Sequence, residues 1–322
     1  MSYHPSISII VPIYNAGEHF SPCMDSLLHQ TFTDIEIICV VDCPTDGTDQ
    51  LVKAYAAKDD RIVVVHNKTN LHVGESRNVG LRVARGQYVG FSDHDDLHEL
   101  QMYERLFEAT DGGYMDVVWG TIRYDDNGKI IVKYPPILPG GRFESMYAHY
   151  TSRYNVLVTT NLYRRDFLLQ NNIWFEDTHV MRAEDMFFNL EVLGLCKMDR
   201  VKSLPEPFYT HLMTADGFGY TYAYNNTKKQ LVLIDKSLRF LESIGADEEF
   251  VHRFIYLLTI RLYTGFRFEI REHGLLSALK MEKDLMQNNA MCRDLLRNTE
   301  IQPIPKTIPK TIFIKMLKYL SK

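Results

Sequence analysis

Gly86-Gln87-Tyr88-Val89-Gly90-Phe91-Ser92-Asp93-His94-Asp95-Asp96 is the stretch on which the reading of this chain turns. Tyr88 to Ser92 has the short, apolar character of a buried strand, and its far end carries the carboxylates Asp93, Asp95 and Asp96. In an open α/β sheet, ligands sit beyond the carboxyl ends of the strands. Acids crowded there repel one another and raise each other's pKa unless something positive answers them. A divalent cation with oxygen ligands, bridging carboxylates to a phosphate, is the economical answer. The plainer alternative is an acidic turn in which Asp96 caps a helix over 98–107. An Asp-x-Asp alone favours the cap; the rest of the chain reverses that.

Upstream, residues 6–13 form a nearly continuous β-branched run, as expected of a strand buried on both faces. Residues 14–17 break it, and 20–30 carry helical spacing through Met24, Leu27 and Leu28. Strands are expected at 35–41 and 61–66 and helices at 48–58 and 74–84, with a polar turn from Asp42 to Gly47. This alternation predicts a parallel sheet with helices on both faces. Downstream the rhythm loosens. Residues 115–124 and 129–133 read as strands around an Asp125-Asp126-Asn127-Gly128 hairpin turn, 135–141 as a loop and 155–162 as a β-rich run. A helix is expected over 183–195 and a strand over 198–204. From Tyr222 to about Leu296 the pattern is helical without strands, broken near Gly245 and Gly274.

The chain has 322 residues and a net charge of −5, enough for a sizeable core and without the basic surface that nucleic acid requires. Its five cysteines are scattered without paired metal spacing, which points to a reducing compartment. No signal peptide is recognisable, and the longest apolar stretch, 254–268, is broken by Arg261 and Arg267. A cytosolic protein is expected. The tail repeats Ile304-Pro305-Lys306-Thr307 as Ile308-Pro309-Lys310-Thr311, then sets Phe313, Met316, Leu317 and Leu320 opposite Lys315, Lys318 and Lys322. That pattern suits either an interfacial helix on the cytoplasmic face of an anionic membrane or a helix docked on its own protein.

Four segments together resemble the GT-A-fold glycosyltransferases of family 2, inverting enzymes that use nucleotide-sugar donors. They are Ile10-Val11-Pro12-Ile13-Tyr14-Asn15, the turn from Val40 to Thr48, the run from Asn70 through Ser76-Arg77-Asn78-Val79-Gly80 to Ala84-Arg85-Gly86, and Phe91 to Asp96. The resemblance implies a GT-A fold: a Rossmann-like, mostly parallel sheet flanked by helices, with a C-terminal helical extension. Residues 1–219 would be the catalytic domain, 6–110 its nucleotide-sugar half and 111–219 its acceptor half. Residues 220–300 would be the helical extension and 301–322 the linker and basic tail.

By the same resemblance, Pro12, Tyr14 and Asn15 wall the nucleotide site, Asp42 accepts from the base, and Arg77 lies near the nucleotide. Asp93 reaches the ribose or a metal through water, and Asp95 coordinates Mn2+ or Mg2+. His94 is counted on the nucleotide-sugar side, its ring turned away from the metal. Val41 stands where the family usually has an Asp, and Cys43-Pro44 replaces Gly-Ser, so the base preference is open; a UDP-sugar is the first expectation. Met181-Arg182-Ala183-Glu184-Asp185 resembles the family's Glu-Asp motif at a helix start, with Asp185 as general base and Glu184 the runner-up. His211 stands where a residue reaches the metal or diphosphate. Trp174 and Phe175 are candidates for an apolar platform under a sugar, or for core packing, the ordinary role of such residues.

The implied activity is metal-dependent, inverting transfer of a hexose or N-acetylhexosamine to a glycan or lipid-linked glycan, in bacterial capsule or lipopolysaccharide synthesis. Two alternatives remain. A sugar-nucleotide nucleotidyltransferase would place a basic, glycine-rich turn after the first strand, where this chain has Tyr14 to His19 without Lys or Arg. A catalytically inactive nucleotide-binding scaffold would have no need to keep both acidic pairs.

Overall fold

The structure is a computed structural model, and it describes residues 4–151, 154–181, 183–212 and 224–251, with 253, 254 and 257. The chain divides into two compact units, one of Met1–His179 with Glu184–Ala215, the other of Val180–Ala183 with Asp216–Lys322.

The first unit is built on a nine-stranded sheet. Its first half alternates strictly: β1 (Ile7–Ile13), α1 (Phe20–Leu28), β2 (Ile35–Val41), α2 (Thr48–Ala56), β3 (Ile62–His66), α3 (His72–Val83) and β4 (Tyr88–Phe91). These four strands are parallel and ordered β3-β2-β1-β4. Strand alternation separates the faces of β1. Ile7, Ile9, Val11 and Ile13 join Phe20, Met24 and Leu27 in the core. Ile10, on the other face, meets α3 at Gly80, where an added Cβ would stand 2.4 Å from Ile10 Cγ2. That close approach brings α3 down on the sheet. At the amino edge, Glu36 Oε1 accepts from Ser8 Oγ (2.6 Å) and from Arg85 N (2.7 Å), while Gly86 N donates to Ser8 Oγ (2.8 Å). The Arg-Gly pair after α3 is therefore a structural clamp, far from the carboxyl ends.

The second half is mixed. It comprises β5 (Leu97–His98), α4 (Met102–Glu108), β6 (Val117–Asp126), β7 (Lys129–Lys133), α5 (Arg142–His149), β8 (Asn161–Arg164), α6 (Arg165–Gln170), α7 (Glu184–Leu195) and β9 (Val201–Leu212). The sheet continues β4-β8-β6-β9-β5, with β8 antiparallel to β4 and β6, β9 parallel to β6, and β5 antiparallel to β9. The hairpin between β6 and β7 turns at Asn127 (φ 51°) and Gly128 (φ 88°), the left-handed pair such a turn requires.

The alternative set aside for Asp96 also fails in the structure, since β5 follows it directly and α4 starts only at Met102. Two sequence expectations change. The β-rich run at 155–162 yields a strand only from Asn161, because Asn155 spends its side chain on Gly120 O (3.0 Å), Thr160 Oγ1 (2.6 Å) and Leu157 N (3.1 Å), fixing irregular backbone instead. The last strand runs on to Leu212, well beyond the expected end at 204, as it pairs with the long β6.

In the second unit, α8 (Tyr224–Ser243) buries Leu233, Ile234, Ser237, Leu238 and Leu241, the spacing of one helical face. Gly245 (φ 70°) ends it, with Ala246 N donating to Leu241 O at 3.0 Å. No helix among the described residues is long and apolar enough to cross a membrane. The tail over 301–322, and with it the expected membrane contact, lies outside the described residues.

Candidate active site

The site gathers where β1, β2 and β4 end. Ile13 pairs with Val41, so the residues that follow, Tyr14-Asn15 and Asp42, leave the sheet side by side. Asn15 adopts a left-handed backbone (φ 45°) and its Oδ1 accepts from Thr45 N at 2.7 Å, tying the two turns together. Asp46 Oδ1 accepts from Thr48 N (3.0 Å) at the head of α2, and its Oδ2 from Gly17 N (3.1 Å). Tyr14 is 44% exposed and available to a ligand. Asp42 is buried, its Oδ1 accepting from Asn67 Nδ2 and Leu71 N, both at 2.7 Å. One carboxylate oxygen is thus committed to holding the loop before α3.

Arg77 is the residue whose place the sequence did not foretell. It is neither a surface cation nor open to solvent: it is 4% exposed, between the two acidic motifs. Nη2 donates to Asp93 Oδ1 at 2.8 Å and Nη1 to Glu184 Oε1 at 3.0 Å, while the guanidinium carbon lies 5.2 Å from the Phe175 ring centre. Burial disfavours its charge, but Asp93, Glu184 and Asp185 more than compensate, so its pKa rises. The same geometry acts on Asp93: burial opposes ionisation, yet Arg77 and His211 hold the carboxyl below its ordinary value.

Glu184 and Asp185 open α7, immediately after Ala183, whose backbone is left-handed (φ 62°), an uncommon state for a residue with a Cβ. The two acids then part company. Glu184 is buried against Arg77. Asp185 forms no ion pair among the described residues; its Oδ1 accepts from Met186 N at 2.9 Å. Burial, and then the adjacent Glu184 carboxylate, push its pKa up to about 7, against the pull of Arg77.

A second network lies at the start of β5. Asp96 is fully buried, and its Oδ2 accepts from Tyr209 Oη (2.6 Å) and pairs with His211 Nδ1 (2.8 Å), while Oδ1 accepts from Leu212 N (3.0 Å). Burial works against a charged His211, but the bond to Asp96 and the charges of Asp96, Asp93 and Asp95 lift its pKa to about 9. Tyr209 and His211 share a face of β9 because they are two residues apart. The sequence carried that alternation but not the register that sets it against Asp96. Tyr209 is the member of the site that sequence reasoning missed.

His94 turns towards β1, its Nδ1 3.1 Å from Pro12 O. Asp95 is partly exposed and makes no hydrogen bond among the described residues. Among those residues, no group of three or more His, Cys, Asp or Glu side chains is arranged to hold a metal by itself. The donor set still suits a hard cation that takes its remaining ligands from a substrate diphosphate, as Mg2+ does with one or two carboxylates. Asp95 offers free oxygens and Asp93 its second oxygen, and His211 the ring nitrogen that Asp96 does not engage, once a bound cation displaces the proton that the surrounding acids favour there. Phe175 does not form a platform. It is buried, stacked on Phe188 at 4.1 Å and edge-on to Phe91 at 4.9 Å. Trp174 lies under Arg82, at 5.3 Å in the last turn of α3, with Nε1 donating to Asn172 Oδ1 (2.9 Å).

Comparison with known proteins agrees with this architecture. The family model "Glycosyl transferase family 2" matches residues 8–171. The uncharacterised glycosyltransferase EpsJ of Bacillus subtilis is 37% identical over 215 residues, covering 64% of this chain and 61% of EpsJ. The poly(ribitol-phosphate) beta-N-acetylglucosaminyltransferase TarS of Staphylococcus aureus is 25% identical over 319 residues, 96% of this chain and 51% of TarS. The chain thus spans between half and two thirds of these relatives' length. The structure of TarS 1–349 with UDP-GlcNAc superposes with a TM-score of 0.69 at 23% identity, over 92% of this chain and 82% of that one. A mannosyltransferase from Pyrobaculum calidifontis, solved with GDP-Man and Mn2+, gives a TM-score of 0.54 at 16% identity, over 99% and 86% of the two chains. At these identities the structural likeness shows the GT-A fold.

Proposed function

This chain belongs to glycosyl transferase family 2, and on that footing we propose that it moves one sugar from a nucleotide-diphosphate donor to a glycan hydroxyl, with inversion at the anomeric carbon. The observation that carries the reading is the unequal treatment of the neighbours Glu184 and Asp185. Glu184 is spent on Arg77, whereas Asp185 has no ion pair among the described residues and burial with the Glu184 charge pushes its pKa up to about 7, where a general base works best. Asp185 takes the proton of the acceptor hydroxyl as that oxygen bonds to the anomeric carbon. The sugar–phosphate bond breaks on the opposite side, and its electron pair leaves with the diphosphate.

The other residues bind and orient. Pro12, Tyr14, Asn15 and Asp42 receive the nucleoside. Asp42 keeps one carboxylate oxygen for the base while the other holds the 67–71 loop. Asp95, with Asp93 and His211, would hold Mn2+ or Mg2+, which would offset the negative charge developing on the leaving diphosphate. His94 acts from the donor side through its contact with Pro12 O. Arg77 positions both acidic motifs beside the nucleotide-sugar site. TarS, similar over nearly the whole chain, is named for modifying poly(ribitol-phosphate), which supports a bacterial surface polymer as acceptor and a UDP-sugar as donor. The test is nucleoside diphosphate release from a panel of nucleotide sugars with acceptor extracts. Asp185→Asn should abolish turnover by about 100- to 10,000-fold, while Glu184→Gln retains part of it. Equal turnover in Asp185→Asn and wild type would sink the assignment.

A further inference from the structure

Away from the site just described, a cleft of about 620 Å3 opens along the strands of the sheet's far edge. We propose that it is a second glycan-holding site, which takes a neutral, polyhydroxylated segment of the acceptor chain at a distance from the reacting end. This inference rests on the transferase reading.

Strand register defines the cleft. Ile130 of β7 pairs with Asp125 of β6, Arg123 of β6 pairs with Thr210 of β9, and Thr210 pairs with Leu97 of β5. Cross-strand partners share a face, as do residues two apart, so these five side chains form one surface spanning four strands. The intervening residues of the same strands, Tyr124, Tyr209 and His211, belong to the opposite face. There His211 and Tyr209 grip Asp96. The cleft and the reaction centre are thus the two faces of one ribbon of sheet. Among the described residues the sheet order ends at β5, which is only two residues long. An acceptor chain reaching from one face to the other would pass round that short edge.

The chemistry of the lining selects the ligand. Arg123 Nη1 donates to Glu99 Oε1 (2.9 Å) and Thr210 Oγ1 (3.2 Å), so the guanidinium is already answered by a carboxylate. Asp125 adds a second acid to the cleft. Two carboxylates against one paired cation disfavour a nucleotide, a phosphate or an acidic polymer, so the acceptor segment held here is a neutral glycan and not the poly(ribitol-phosphate) for which TarS is named. The same groups suit hydroxyl pairs, which donate to carboxylate oxygens and accept from the guanidinium. Ile130, 50% exposed, supplies an apolar wall for the C–H face of a sugar ring.

The experiment is calorimetric titration of the full chain with neutral tetrasaccharides of β-1,4-glucose, β-1,4-N-acetylglucosamine, α-1,4-glucose and α-mannose. UDP, GDP, CDP and dTDP, each with Mn2+, are titrated in parallel. Variants are Ile130→Asp and Asp125→Lys, both on exposed or partly exposed strand positions, with Asp185→Asn as control. At least one tetrasaccharide should bind, about tenfold more weakly in both cleft variants and unchanged in Asp185→Asn. Transfer to a short acceptor should not change in the cleft variants. Absence of tetrasaccharide binding, or binding indifferent to both cleft variants, overturns the second site. Because the nucleotide titration is independent, nucleotide binding without tetrasaccharide binding defeats only this inference. Absence of binding by UDP, GDP, CDP and dTDP alike, each titrated with Mn2+, defeats the transferase reading beneath it.

Discussion

The halves of the catalytic unit reach one site by different physical means. From β1 to β4 the geometry is set by packing: strands buried on both faces, helices in alternation, and α3 drawn onto Ile10 through Gly80. From β5 to β9 it is set by polar groups. Asp96 organises the end of β9, Asn155 fixes irregular backbone, and Arg77 clamps the start of α7 to the end of β4. Packing is redundant, spread over many side chains, whereas a buried charge has few partners and fails when one is removed. The first half should therefore convert mutations into lost stability and the second into lost chemistry. Arg77, which belongs to the first and serves the second, should show both.

The largest effect is expected in the second half. Asp185→Asn should lower transfer by about 100- to 10,000-fold while the fold survives. It should also raise the melting temperature at pH 8. Folded Asp185 keeps its proton to about pH 7, whereas the unfolded chain releases it near 3.8. Between those values the folded state binds more protons, so ionising Asp185 removes stability as pH rises through 7. The Asn variant escapes that loss, and its advantage over wild type should shrink to nothing towards pH 4. A melting temperature that falls at pH 8 would contradict the burial of this acid.

Next in size is Arg77→Met, which leaves Glu184 and Asp93 without their cation and should cost about 3–5 kcal/mol. The double variant Arg77→Met/Glu184→Gln should recover part of that stability, read by urea denaturation; strict additivity would mean the two do not interact. Gly80→Ala should cost about 1–3 kcal/mol by overpacking against Ile10 while kcat stays near that of wild type, because no charge at the site moves. A large loss of kcat without loss of stability would break the comparison from the other side. The smallest effect is expected for Trp174→Ala. Its contact with Arg82 is worth about 0.5–1 kcal/mol at a partly exposed site, and transfer should not change. A marked rise in KM would restore the abandoned sugar platform.

The same contrast governs how much could be read from sequence. The β-branched runs and helical spacings of the first half placed its elements within about two residues, because burial on both faces writes itself into composition. The second half was harder because register decides there. Residues 155–160 look like strand, but Asn155 and Thr160 hydrogen-bond locally. Tyr209 and His211 acquire meaning only once β9 lies against β6 and β5. The Asp93-x-Asp95 and Glu184-Asp185 pairs were visible as motifs. Asp185 was preferred to Glu184 as base by resemblance alone; the guanidinium that separates the two lies more than a hundred residues before α7 and was not read as their partner. Of the two readings open to Phe175, core packing holds and the platform does not, a choice the sequence leaves open since an aromatic beside a site reads alike whether it faces a sugar or Phe188.

The central claim is that the ends of β1, β2 and β4 form a donor site in which Asp95 carries the cation. Calorimetric titration of UDP, GDP, CDP and dTDP, with and without Mn2+, against wild type and Asp95→Ala tests it most directly. The account predicts that one nucleotide, UDP first, binds only with the metal and that Asp95→Ala loses that binding with its fold intact. Nucleotide binding of equal strength without metal, or in Asp95→Ala, would contradict it.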